Sequence, residues 1–199
     1  MTLIGEAAVA MWWDVDPEVR ADWEEWHTYE HMPERLSIPG FLRGTRWTAV
    51  DGAPFYFVLY EARDLATITS GAYLERLNNP TPWSRSMMPH HRNMVRSVCV
   101  VHAAYGTGVG QAMATIRFPE GDPELPRRKG VTGAKLLRSV PLTGKPTAEQ
   151  KLRGGDATSD RVLLIAGYDV NAVRAAAQAG LPAAIVGLYR LAYCLEARR

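Results

Sequence analysis

Two histidines and a glutamate lie within five residues of each other in the segment His27-Thr28-Tyr29-Glu30-His31. A histidine titrates near neutral pH and can move a proton during a reaction, while a nearby carboxylate can orient it or share the proton. We therefore take His31 as a candidate general base and Glu30 as its candidate orienting carboxylate. Neighbouring helical residues do not face each other, so this pairing requires a distorted helix or an arginine as intermediary. The candidate arginines are Arg35, Arg43 and Arg46.

The same five residues also spell H-x-x-E-H, a string found in one class of zinc proteases. Four features oppose a zinc site. Pro33 follows the second histidine closely, the chain is short for such a protease, Glu30 lies among tryptophans, and no clear third ligand follows at helical spacing. Short motifs match by chance frequently. We expect no metal and no cofactor here.

The helix that must position these groups is predicted over residues 17–31 and ends before Pro33. At 100° per residue, Trp23, Trp26 and Glu30 fall on one face of it. A carboxylate on an apolar face is costly unless it is paired, and the C-terminal end of a helix disfavours negative charge. The alternative to catalysis is a structural Glu30, bonded to an arginine or to backbone N–H groups, with His31 capping the helix.

All five histidines and all six tryptophans lie in residues 1–106. We assign five side chains in this half as candidate substrate-binding residues. They are Trp26, His27, Arg46, Trp83 and His102. The adjacent His90 and His91 are predicted at the surface, with the rim of a pocket as the alternative. Strand alternation leaves open which face His102 occupies.

Composition excludes several functional classes. The net charge of +2 gives no case for nucleic acid, and no apolar run approaches the length of a membrane span. Glu6 interrupts the first apolar stretch, which lacks a basic region before it, so we expect no signal peptide. Cys99 and Cys194 lie in apolar runs and are predicted to be buried thiols. We expect a cytoplasmic protein, with homo-oligomer formation left open.

Hydrophobic patterning predicts two similar halves, residues 1–106 and 107–199, each a ferredoxin-like βαββαβ unit. Predicted strands are 3–13, 44–50, 55–61, 95–104, 112–118, 131–140, 161–168 and 184–195. Predicted helices are 17–31, a second capped by Asp64 and reaching residue 77, and 170–179, capped by Asp169 and closed by Gly180. A turn at 51–54 and a hinge at 106–108 join these elements.

The second half differs from the first in two places. Its first helix is reduced to a proline-rich stub at 120–128, and its hairpin turn becomes a long polar loop at 142–159. In the first half, the proline-containing segment 78–92 is predicted to be irregular or broken helix. A short sequence similarity between residues 39–46 and residues 129–135 supports an internal duplication of the two halves. The halves carry net charges of −4 and +6, which favours their packing together.

The motif Trp26-His27, Glu30-His31-Met32-Pro33 and then Ile38-Pro39-Gly40-Phe41 resembles the dimeric α+β barrel superfamily, and its EthD-like branch in particular. The resemblance implies an α+β fold in which two ferredoxin-like sheets pack face to face around a small-molecule pocket. It also implies that His31 matches the helix-end histidine of that branch and Glu30 its acidic neighbour. Members include cofactor-free monooxygenases, isomerases and cyclases, with haem proteins in distant branches. Because one fold supports many functions, the name alone does not assign an activity.

From these observations we expect a chain that binds an apolar or aromatic small molecule in the barrel. The expected chemistry is cofactor-independent acid–base catalysis of the isomerase, cyclase or monooxygenase type. His31 would be the base, and Arg46 or His102 would stabilise developing negative charge. The alternative is a barrel that binds a ligand, or serves a structural purpose, without catalysis. We expect no nucleic-acid or membrane partner.

Overall fold

Eight antiparallel strands form a closed barrel in the computed structural model, which describes residues 4–51, 54–106, 108–178, 181 and 183–198. The order around the barrel is β1-β3-β2-β8-β5-β7-β6-β4. The strands are β1 Ala7–Val15, β2 Phe41–Ala49, β3 Tyr56–Ala62, β4 His91–Gly106, β5 Ala112–Phe118, β6 Val131–Ser139, β7 Arg161–Gly167 and β8 Ile185–Glu196.

Each half contributes one four-stranded sheet with the same internal order. The first half gives β4-β1-β3-β2 and the second gives β8-β5-β7-β6, and the sheets join through the β2–β8 and β4–β6 pairs. Closure leaves no free sheet edge to be protected. The predicted tandem ferredoxin-like α+β barrel is confirmed. The sequence similarity between the halves has a physical cause, because Gly40 and Gly130 both have left-handed φ angles, +97° and +91°, just before equivalent strands.

Seven short α-helices lie in the described part of the chain, and most cover the first half. They are α1 Arg20–Trp26, α2 Met32–Leu36, α3 Leu65–Ile68, α4 Gly71–Asn78, α5 Pro82–Met87, α6 Ala148–Leu152 and α7 Val170–Ala177. Single 3₁₀ turns at Pro17–Val19 and Met88–His90 extend α1 and α5, and a π turn at His27–His31 joins α1 to α2. None of the described helices is long and apolar enough to cross a membrane.

Two local predictions about the helices need correction. The helix that begins at Pro17 does not end before Pro33 but continues to Leu36, with a π turn in its middle. The predicted helix from Asp64 to residue 77 is two helices, because Ser70 caps α4 and separates it from α3. The caps themselves are as predicted, since Asp64 and Asp169 each accept a backbone N–H of the following turn.

The two unusual segments of the second half have different outcomes. Residues 120–128 contain no helix, so the stub is an irregular connection. The long loop at 142–159 instead holds α6, whose Thr147 and Gln150 form a reciprocal capping box. The α6 residue Glu149 is buried against Arg35 of α2. This loop is therefore fixed against the helix layer of the first half.

The interior of the barrel is filled by side chains from both sheets. Trp12, Trp47, Phe57 and Tyr189 are all 1% exposed or less and belong to one apolar cluster with smaller residues of both halves. The opposite face of the first sheet packs against the helices, and α7 covers the second sheet. Cys99 is buried as predicted, but Cys194 is exposed, because alternate residues of β8 beyond Arg190 lie at the surface.

Several predicted features fall on residues outside the described ones. These are the first residue of the predicted strand 3–13, two residues of the turn at 51–54, Thr107 of the hinge, and the helix end at Ala179 and Gly180.

Candidate functional site

The π turn brings together four of the predicted site residues: Trp26, His27, Glu30 and His31. The backbone N–H of Met32 donates to the carbonyl of His27, five residues back, instead of four. Pro33 has no N–H and could not donate to the preceding turn of a regular α-helix, so a wider turn before it costs less than it would elsewhere. The helix is therefore distorted before Pro33, which is one of the two conditions stated for a pairing of His31 with Glu30. The π turn belongs to the helix layer, and its buried side packs against the outer face of the first sheet.

Aromatic rings pack around the two histidines of the π turn. The His27 ring stacks on Trp23 at a centroid distance of 4.8 Å, and the His31 ring lies 4.5 Å from the Trp26 ring. The two histidine rings are 5.7 Å apart. Trp13 from β1 completes this shell at 6.4 Å from His27. A shell of this kind has a low local polarity, which strengthens every electrostatic interaction inside it.

His27 lies at the centre of the cluster and is 1% exposed. Its Nδ1 is 3.4 Å from Nη1 of Arg46, and its Nε2 is 3.4 Å from the hydroxyl of Tyr60. Burial lowers the pKa of His27 well below its usual range, and the positive charge of Arg46 lowers it further. The imidazole is therefore neutral at physiological pH.

His31 is 9% exposed, and its Nδ1 is buried without a hydrogen-bond partner among the described residues. Burial lowers the pKa of His31 well below its usual range, and the charge of Arg35 acts in the same direction. His31 thus carries an unengaged ring nitrogen and is neutral at pH 7. The lowered pKa makes His31 a weak base that is in its basic form at neutral pH.

Arg46 projects from β2 into the same cluster. Its Nη1 donates to the backbone carbonyl of Glu24 at 3.1 Å, and its guanidinium lies 5.9 Å from the Trp23 ring. Burial lowers the pKa of Arg46, and the charge of Glu24 partly offsets that effect. Its Nε is buried and without a partner in the described part of the chain, as is Nε1 of Trp13. With Nδ1 of His31, three unsatisfied nitrogens therefore surround His27.

Glu30 has a different set of partners from the one predicted. Its Oε1 accepts hydrogen bonds from Nε1 of Trp26 at 3.2 Å, from the Thr81 hydroxyl at 2.5 Å and from the Ser84 hydroxyl at 3.4 Å. None of these partners is His31, an arginine or a backbone N–H. The carboxylate therefore fastens the π turn to the N-terminus of α5, where Thr81 is the capping residue.

His91 is a member of the cluster that the sequence analysis placed at the surface. It is 6% exposed, and its Nε2 accepts the indole N–H of Trp23 at 3.2 Å. Because that nitrogen is an acceptor, the proton is assigned to Nδ1, which donates to the carbonyl of Met88 at 2.8 Å. Burial lowers the pKa of His91 to about 3. Its neighbour His90 is only half-buried, and its Nδ1 lies 3.1 Å from Oδ2 of Asp16. The two adjacent histidines therefore differ in burial.

Two predicted substrate-binding residues lie outside the cluster. The side chain of His102 is 38% exposed, and its Nε2 accepts from Arg138 at 2.9 Å, beside Asp122. Trp83 is 37% exposed on α5. In β4 the register shifts between Val101 and Ala103, so strand alternation alone could not place His102. No group of three metal-ligating side chains occurs among residues that the structure describes.

The space between the two sheets differs from the expected ligand pocket. A cavity of about 20 Å³ lies there, next to Arg43, Glu61 and Lys135. Glu61 accepts from Nε of Arg43 at 2.7 Å, and burial lowers the pKa of Lys135 to about 8. Sequence alternation in β2, β3 and β6 could have indicated this charged group, since all three residues face the barrel interior. A volume of 20 Å³ holds about one water molecule and no organic ligand.

The comparisons with known proteins identify structural neighbours only. No protein-family model matches the chain, and no curated protein matches it. A crystal structure described as an anthrone oxidase-like protein has a TM-score of 0.63 at 10% identity, covering 100% of this chain and 97% of the other.

Two further structures have similar full-length coverage. A candidate monooxygenase from Fusobacterium nucleatum gives a TM-score of 0.57 at 8% identity, with 98% and 99% of the two chains covered. A candidate chlorite dismutase gives 0.52 at 10% identity, with 96% of each chain covered. At these identities the likeness establishes the fold. The chain therefore has the α+β barrel fold of these monooxygenase-like and chlorite dismutase-like structures.

Proposed function

We propose that this chain binds an apolar or aromatic carbonyl compound at the His27–His31 turn and catalyses proton transfer from it without a cofactor. The observation that carries the proposal is the set of three buried, unpartnered nitrogens around His27: Nδ1 of His31, Nε of Arg46 and Nε1 of Trp13. Buried polar groups are almost always satisfied in native proteins, so an unsatisfied group requires an explanation, and a binding or catalytic role is one. The EthD-like relationship is part of this proposal.

His31 is the base in this mechanism. Its neutral imidazole takes a proton from the carbon next to the carbonyl group, leaving an enolate. Arg46 supplies positive charge and a free N–H for the enolate oxygen, and its action is strong because the surrounding rings exclude water. His27 separates the two groups and fixes Arg46 through their 3.4 Å contact. Glu30 positions Trp26, the ring against which His31 lies.

The tryptophan side chains of the cluster indicate which substrate shape would fit. Trp13, Trp23 and Trp26 present flat apolar surfaces, which suit an aromatic ring. Anthrone is a suitable first probe because it is a flat tricyclic ketone with an acidic methylene group, and one structural neighbour bears its name. With molecular oxygen as the oxidant, loss of that proton leads to anthraquinone and water, so atoms and electrons balance. An isomerisation or cyclisation would begin with the same proton transfer.

A second candidate function is ligand binding without catalysis. It is favoured by the positions of four cavities, of about 570, 270, 200 and 20 Å³, since none of these four is lined by His27, His31 or Arg46. A substrate at the π turn must therefore enter by displacing side chains of the helix layer, starting from the accessible edge of His31.

The experiment that tests binding is a titration of the ¹⁵N-labelled protein with anthrone, followed through the ring-nitrogen signals of the five histidines. We expect His27 and His31 to shift with a common dissociation constant, while exposed His102 serves as an internal control. Unchanged His31 signals at saturating anthrone would reject the site. If His31 shifts but no proton is abstracted, the non-catalytic alternative holds.

A further inference from the structure

A groove on the helix side of the first sheet is separate from the histidine cluster. It has a volume of about 570 Å³ and lies between α4 and the segment 142–150, with Arg96 of β4 among its lining residues. That volume is in the range of small-molecule sites. None of Trp26, His27, His31 or Arg46 lines it, so an inference about this groove does not rest on the proposed function.

The walls of the groove are apolar. Ile68 and Leu77 are buried beneath it, while Leu74 and Leu142 are 44% and 46% exposed along it. Exposed leucines facing each other across a cleft present an apolar surface that a ligand body can cover. The aromatic ring of Tyr73 adds to this wall.

Arg96 is the polar feature of the groove. It is half-buried on the outer face of β4, and its Nη2 donates to the hydroxyl of Tyr73 at 3.1 Å. No carboxylate forms an ion pair with it in the described parts of the chain. A guanidinium has five N–H donors, so a single hydroxyl partner leaves most of its capacity unused.

The nearest carboxylates are engaged elsewhere. Asp156 accepts from Nη2 of Arg153 at 2.8 Å. Glu149 pairs with Arg35 and lies 3.6 Å from Arg153. Asp156 and Glu149 thus pair directly with Arg153 and Arg35, and among the described residues neither lies within ion-pair distance of Arg96. A second cavity of about 270 Å³ is also lined by Arg96, together with Asp156 and Asp160.

We propose that this groove binds an amphipathic carboxylic acid, with the carboxylate on Arg96 and an apolar chain between α4 and Leu142. The planar guanidinium matches a carboxylate through two parallel hydrogen bonds. The apolar body displaces water from Leu74, Leu77 and Leu142. Lys145 at the rim adds a second positive charge on the approach to the groove.

The test uses the full chain with decanoate and 1-decanol, two probes with the same apolar chain and different head groups. Binding is measured by calorimetry below the concentration at which either probe aggregates, and located by the methyl NMR signals of Ile68, Leu77 and Leu142. We expect decanoate to bind at least tenfold more tightly than decanol, with those methyl signals shifting. Equal affinities, or shifts confined to other methyl groups, would overturn the proposal.

Two substitutions distinguish a specific ion pair between decanoate and Arg96 from a general effect of the positive charge of the protein. Arg96→Gln is expected to weaken decanoate at least tenfold and to leave decanol unchanged. The matched control is Lys151→Gln, which removes an equal charge from the exposed face of α6 and should retain wild-type affinity for decanoate.

A second variant avoids any loss of folding. Leu142→Asp places a negative charge on an exposed part of the wall, and we expect it to weaken decanoate at least tenfold with an unchanged melting temperature. Wild-type affinity for decanoate in either Arg96→Gln or Leu142→Asp contradicts the assignment.

Discussion

The indole N–H of Trp26 donates to Oε1 of Glu30, four residues later, at 3.2 Å across the π turn. Thr81 and Ser84 donate to the same oxygen, so one carboxylate atom connects the turn to α5. This arrangement accounts for a carboxylate on an otherwise apolar helix face. It also holds Trp26 against His31, which is the basis for the positioning role proposed for Glu30.

Because a glutamine retains Oε1 as an acceptor, we expect Glu30→Gln to change the free energy of unfolding by less than about 1 kcal/mol. Glu30→Ala leaves the donors without that acceptor and is expected to cost about 1–3 kcal/mol. Urea unfolding at pH 7 measures both. Glu25→Ala, on the exposed side of α1, is the control and should be near neutral. A large loss in Glu30→Gln would show that the negative charge itself is required.

Three buried histidines predict sensitivity to acid. The pKa values of His27, His31 and His91 are lowered by burial, that of His91 to about 3. Below about pH 6.5 the unfolded chain binds protons that the folded chain excludes, so stability is complete above that pH and falls as the pH drops. Each histidine contributes a slope of about 1.4 kcal/mol per pH unit between its two pKa values.

Urea unfolding of His91→Phe at pH 7.5, 6 and 5 tests this slope. At pH 7.5 the variant loses the partners of the Trp23 indole and the Met88 carbonyl, at a cost of about 1–3 kcal/mol. Its stability should then fall less steeply with acid than that of the wild type. Removing the exposed histidine with His102→Gln should leave the slope unchanged. Parallel curves for wild type and His91→Phe would contradict a buried neutral His91.

The contact between Arg35 and Glu149 joins α2 to α6, and both side chains are 2% exposed. Burial alone would lower the pKa of Arg35, but the charge of Glu149 raises it. We expect Glu149→Gln to cost about 3–5 kcal/mol, because a buried guanidinium then lacks its main counter-ion. The double variant with Arg35→Met should recover part of that loss in thermal unfolding. Additive losses would show that the two side chains do not interact.

Lys135 is a buried cation inside the barrel whose pKa is lowered to about 8 by burial, with Glu61 opposing the shift. Since the unfolded chain holds that proton up to about pH 10.4, the lysine costs stability at neutral pH, and the cost disappears as the pH rises. Lys135→Met should therefore raise the free energy of unfolding at pH 7 by about 1–3 kcal/mol.

The advantage of Lys135→Met should vanish near pH 10.5. Lys129→Met, an exposed counterpart, should show no effect at either pH. A destabilised Lys135→Met protein at pH 7 would mean that the electrostatic attraction of Glu61 outweighs desolvation.

The strands and caps were predictable because they depend on local signals. The mostly apolar and aromatic run of β3 indicated a buried strand, and Asp64 and Asp169 marked helix starts that the structure contains. Each of these depends on residues close together in the chain. Two such halves then determined the barrel, since each sheet needs a partner for its inner face.

The site was only partly predictable because its decisive contacts are distant in sequence. The burial of His91 depends on Trp23, 68 positions away, and α6 is placed by a contact across 114 positions. The π turn is a change of hydrogen-bond register that the hydrophobic pattern does not encode. His102 lies eleven residues along β4 from His91, and the register shift beside it prevents strand alternation from assigning its face.

Hydrogen–deuterium exchange at the methylene group of anthrone, in heavy water and without oxygen, tests the central claim that His31 abstracts a proton. The wild-type chain should accelerate exchange at neutral pH. His31→Gln should reduce the acceleration by about 10²-fold or more, the range expected for loss of a general base, while His102→Gln should retain it. Exchange at the uncatalysed rate with the wild type, or equal acceleration by His31→Gln, would contradict the account.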